Sequence, residues 1–77
     1  MADAIADVMI HVDETLDRDA LKRLEAAVRE NSCVTSADVP ENRPHMMLVT
    51  YNARCVSARE ILQLVTGQGV HAELVGM

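Results

Sequence analysis

An α+β sandwich, with a four-stranded antiparallel sheet and two helices on one of its faces, is what the sequence predicts. Three observations carry that prediction. Four segments alternate apolar and polar residues with the period of two that marks a half-buried strand. Two others repeat apolar residues every three or four positions, the period of a helix with one buried stripe. The segments follow one another as β-α-β-β-α-β, and right-handed crossovers then place both helices on one face, the ferredoxin-like arrangement.

The first strand is expected over Ile5 to Val12, where Val8, Ile10 and Val12 face one way and Asp7, Met9 and His11 the other. A helix follows. Asp17 has the short acceptor side chain of an N-cap, Asp19 sits in the first turn, where the helix dipole favours negative charge, and Leu16 and Leu21 are placed as a hydrophobic staple. Leu21, Leu24 and Val28 form the buried stripe, and Asn31 and Ser32 end the helix. A weaker strand is expected over Val34 to Val39, then a polar turn bracketed by Pro40 and Pro44, then a stronger strand from His45 to Tyr51. In the latter Met47, Val49 and Tyr51 share one face, and Met46, Leu48 and Thr50 the other. Ser57 and Glu60 have the spacing of a capping box, with Val56 and Ile61 as its staple. Ile61, Leu64 and Val65 are the second buried stripe, and Gly67 or Gly69 ends that helix. The last strand is expected over Val70 to Val75.

Length and composition bound what this architecture can do. The 77 residues make one domain, 1–77, and a chain so short buries a modest core. The apolar share of 49% rules out disorder, and with no Phe, no Trp and a single Tyr the core is aliphatic. A formal net charge of -5 argues against nucleic acid and anionic membrane as partners. No apolar run approaches the roughly 20 residues of a spanning helix. Met1 to Ala6 lack the basic and apolar regions of a secretory signal, so a cytoplasmic location is expected.

Three stretches resemble the heavy-metal-associated domains of copper chaperones and metal-pumping P-type ATPases, over nearly the whole chain. Val12 to Ala20 fall where that family has Val-x-Gly-Met-x-Cys-x-x-Cys. Cys33-Val34-Thr35-Ser36-Ala37-Asp38-Val39 is similar to its Gly-Val-x-Ser-x-x-Val. Met47 to Asn52, Val56-Ser57 and Gly69 to Leu74 resemble its third strand, second helix start and closing strand. The resemblance implies the fold and a place in metal handling. The thiolate motif is absent: the first ligand position holds Asp17, the second Ala20, and the motif methionine is Thr15. Soft Cu(I) takes thiolates, and a carboxylate beside a methyl group does not replace them.

Other donors are available. In the predicted topology the first and third strands are central, so Met9, His11, Met46 and Leu48 line the uncovered face, joined by His71, Glu73 and Val75 of the last strand. His11, Met46 and His71 should gather at the end carrying the first loop. Three readings of that face compete: a copper or zinc site from His11, Met46 and His71; a protein-contact surface of Met9, His11, Met46, Leu48, His71 and Val75, pairing with a second copy or another protein; and an ordinary half-exposed sheet. The contact surface is the leading expectation, because methionines pack adaptably and small domains gain core by pairing. No resident cofactor is expected. Asp13, Glu14, Asp17 and Asp19 are read as a helix N-terminus rather than a calcium loop.

Cys33 and Cys55 do not make a recognisable disulfide framework. They flank the hairpin of the second and third strands at its open end, where they are either a redox pair or, as cytosolic redox favours, two reduced space-filling residues. Enzymatic activity is not expected. Ser57 is used as a cap, no glycine-rich phosphate loop exists, and RNA-stacking aromatics are missing from the central strands.

Overall fold

The computed structural model describes residues 4–75. The expectation about Met1 to Ala6 therefore lies in part outside the described residues. The elements are β1 (Ile5–Val12), α1 (Arg18–Arg29), β2 (Val34–Asp38), β3 (Met46–Asn52), α2 (Ala58–Thr66) and β4 (Ala72–Val75). The sheet order is β2-β3-β1-β4, antiparallel throughout, which is the predicted ferredoxin-like sandwich.

Alternation decides which face is covered. Val8, Ile10 and Val12 of β1 and Met47, Val49 and Tyr51 of β3 are buried. They join Leu24 and Val28 of α1 and Ile61 and Val65 of α2 in one cluster that is aliphatic apart from Tyr51. Each such side chain contributes about 1.5–3 kcal/mol by leaving water, the dominant favourable term in so small a fold. The intervening residues face the other way, and Met9 and Leu48 are 38% and 44% exposed. The register pairs Met9 with Leu48 and His11 with Met46.

Both helix starts form as their residues dictate. The Asp17 carboxylate accepts from the Ala20 N–H at 2.8 Å. At α2 the Ser57 hydroxyl accepts from the Glu60 N–H at 3.1 Å, while Glu60 accepts from the Ser57 N–H at 3.2 Å. The two caps lie at opposite ends of the sheet, because α1 follows β1 and α2 follows the antiparallel β3.

Element ends depart from the sequence reading for identifiable reasons. Residue Val39 does not extend β2, since its N–H donates to Glu25 of α1 at 2.6 Å. Neither Val70 nor His71 belongs to β4: Gly69 turns the chain at φ 91°, a conformation suited to glycine, and the His71 N–H donates to both oxygens of Glu14. The third strand begins at Met46 rather than His45 and runs on to Asn52, whose N–H donates to the Cys33 carbonyl at 2.9 Å. Helix α1 closes at Glu30, and Asn31 turns the chain by accepting the Cys33 N–H at 2.8 Å.

Candidate metal centre

The C-terminal end of β1 is where polar side chains converge. His11 is the last outward-facing residue of β1, Asp13 follows the strand, and Glu73 is the register partner of His11 on β4. One donor atom from each of His11, Asp13 and Glu73 can be chosen so that all lie within 4.8 Å of one another. Among the described residues this is the one such group of three. His11 Nδ1 is 3.2 Å from Asp13 Oδ1, and His11 is half-buried while both carboxylates are exposed.

His45 adds a second imidazole. Its ring stacks on that of His11 with centroids 5.8 Å apart and planes 17° from parallel. Its Nδ1 lies 2.8 Å from the Val12 carbonyl, which can only accept, so Nδ1 carries the proton. In the neutral ring Nε2 then keeps its lone pair, the tautomer a metal ligand requires. In the sequence His45 marks only the expected start of the third strand. Its place followed from the register, since Met46 lies opposite His11 and the preceding residue falls at the strand end.

The predicted trio is placed as follows. His11 and Met46 are neighbours across β1 and β3. His71 is at the same end, its carbonyl accepting from the Asp13 N–H at 2.8 Å, and its ring is held through Nδ1. Nδ1 of His71 donates to Glu14 at 2.7 Å. That bond holds the Glu14 carboxyl below the usual carboxylate range, and the same bond, with the nearby negative charge, raises His71 above the ordinary imidazole value. Asp13 and Glu14, read as part of a helix N-terminus, serve histidines instead. Of that acidic cluster Asp17 and Asp19 stand at the start of α1.

On the open face Met9, Met46 and Leu48, with Pro40 and Arg43 of the turn and an edge of Met47, line a shallow groove of about 200 Å³. Val75 sits opposite Met9 on β4.

At the other end of the sheet, Cys33 and Cys55 are joined by a disulfide, with Cα atoms 5.6 Å apart. This corrects the expectation of two reduced, space-filling cysteines. Antiparallel pairing of β2 with β3 brings the residue before one strand beside the loop after the other, so two cysteines 22 positions apart meet at the open end of the hairpin.

Comparison with protein-family models and with curated proteins finds no match. Solved structures do match. Oxidized MerP from Ralstonia metallidurans superposes with a TM-score of 0.84 at 15% identity, over 95% of this chain and 100% of that one. The apo copper chaperone of Enterococcus hirae gives 0.79 at 25% identity, over 88% and 98%. The yeast copper transporter domain Ccc2a gives 0.78 at 20% identity, over 91% and 94%. The fold is thus that of heavy-metal-associated domains, and no described helix is long and apolar enough to cross a membrane.

Proposed function

We propose that the chain is a single non-enzymatic, heavy-metal-associated-like domain that binds a divalent ion of borderline softness through His11, Asp13 and Glu73. The observation that carries this reading is the convergence of one imidazole and two carboxylates within 4.8 Å at the end of β1. Tetrahedral ligands at bonds of about 2.1 Å stand roughly 3.5 Å apart, so modest side-chain rotation closes the set. Nitrogen and oxygen donors suit Zn(II) or Cu(II) better than Cu(I). Three protein ligands leave a fourth position open, which His45 or a partner's ligand can fill, and an exposed, incompletely coordinated ion is one that can be handed on. The structural neighbours described as a copper transporter domain and a copper chaperone support metal handling as the general task.

Calorimetric titration of the disulfide-bonded protein with Zn(II) tests this reading. One equivalent should bind, and His11→Ala should abolish it. Binding indifferent to that change, or no binding to the wild type, overturns it.

Exposure of Met9 and Leu48 favours a second reading. Here the open face, with Met9, His11, Met46, Leu48, His71 and Val75, is a contact surface for a second copy or another protein. Sedimentation of the wild type beside Met46→Glu tests it: a dimer dissociated by the charge is expected, and a monomer in both removes self-association. The bonded cysteines fit an oxidising compartment, whereas the cytoplasmic location expected from the sequence goes with the reduced pair.

A further inference from the structure

The two cysteines occupy a built position. Cys33 is fixed on both sides of its Cα: its N–H donates to the Asn31 side chain at 2.8 Å, and its carbonyl accepts from the Asn52 N–H at 2.9 Å. Cys55 is held by the same neighbour, its N–H donating to the Asn52 carbonyl at 3.0 Å. These bonds do not involve sulfur, so the backbone that sets the 5.6 Å Cα separation is held independently of the disulfide. Cys33 is half-buried and Cys55 exposed, which gives solvent, a reductant or an incoming ion access to one sulfur while the other stays anchored.

We propose that the reduced Cys33–Cys55 pair is a two-thiolate site for a soft monovalent ion, Cu(I), and that the disulfide is its closed state. This site is separate from the His11, Asp13 and Glu73 cluster, since it lies at the end of the sheet where β1 begins and β3 ends. Opening needs a dithiol reductant. Two electrons and two protons pass from the dithiol to the S–S bond, leaving two cysteine thiols and a cyclic disulfide. Binding then moves no electrons: two thiol protons go to solvent and two copper–sulfur bonds form. Near-linear coordination, with bonds no longer than the roughly 2.3 Å of zinc–thiolate, separates the sulfurs by more than about 4 Å. Rotation of the exposed Cys55 side chain supplies that distance from the fixed backbone.

The ion and the disulfide link the same two atoms, which gives the test two readouts. Protein reduced with dithiothreitol and desalted without oxygen is titrated with Cu(I) in competition with bathocuproine disulfonate. Near-ultraviolet thiolate-to-copper absorption and the thermal midpoint are followed together. The reduced wild type should retain one equivalent, gain the absorption and recover the midpoint lost on reduction. The oxidised wild type, whose disulfide-bonded fold is the one described, should do none of these, and Cys55→Ser should match it. Reduced His11→Ala should bind as the wild type does, which separates this site from the loop-end one. Equal retention by the oxidised and reduced wild type overturns the proposal. So does retention in Cys55→Ser with loss in His11→Ala, which would put Cu(I) at the other end.

Discussion

The two ends of the sheet hold opposite kinds of donor on one scaffold. At the end of β1 the donors are imidazole and carboxylate, brought together by strand register and hydrogen-bonded in two pairs, His11 with Asp13 and His71 with Glu14. At the far end they are two sulfurs, joined covalently between the start of β2 and the loop after β3. Antiparallel pairing produces both, because it collects residues that flank different strands. What differs is the variable each end answers to: side-chain protonation at the first, thiol oxidation at the second.

The largest effect should follow from opening the far end. A cross-link closing a loop of this length stabilises a small domain by about 2–4 kcal/mol, largely by restricting the unfolded chain. Urea unfolding of oxidised and reduced protein should differ by that amount. Equal midpoints would mean that the Asn31 and Asn52 hydrogen bonds alone set the stability of this end. The helix caps extend the comparison. Ser57 sits at the thiol end in a reciprocal box, so Ser57→Ala, which removes one bond and loosens its partner, should cost about 1–2 kcal/mol. Asp17 sits at the loop end and makes one bond, so Asp17→Ala should cost about 1 kcal/mol. An Asp17 variant less stable than the Ser57 variant would show that the carboxylate does more at the loop than cap α1.

Much of this was legible in the sequence, and the exceptions share a cause. Alternation placed Ile10 and Met47 beneath the helices and Met9 and Leu48 on the open face, since a period of two leaves no other choice once one face is buried. Asp17 and Ser57 were readable as caps because the partner of a cap lies three residues away. What failed depended on partners far along the chain. Glu14 reaches His71 across 57 positions, so β4 begins at Ala72 rather than Val70 and the His71 Nδ1 is held by that carboxylate. Glu25 reaches Val39 across 14 and ends β2. Hairpin geometry places Cys33 and Cys55 at one end, while whether they bond is set by compartment, a property of the cell that the chain does not spell out.

The smallest effect should come from the Glu14–His71 pair, and it bears on the loop end alone. His71 is exposed and Glu14 only half-buried, so the interaction is screened by solvent, and its value lies in its pH signature rather than its strength. His71 is raised above the ordinary imidazole value, so its contribution is complete below that value and disappears as pH rises through the raised one. Glu14 is lowered, so its contribution is present above the usual carboxylate range and is lost as pH falls through the lowered value. The pair therefore acts over mildly acidic pH, between those two ordinary values. An NMR titration should find the His71 ring resonances turning over above the ordinary imidazole pKa, and Glu14→Gln should bring them back. The glutamine carbonyl can still accept from the His71 N–H, so the turn before β4 should persist while the charge-dependent part vanishes. A titration unchanged by Glu14→Gln would assign the shift to Asp13, the other negative group acting on His71, and would make the acid that meets His11 the electrostatic centre of the loop end.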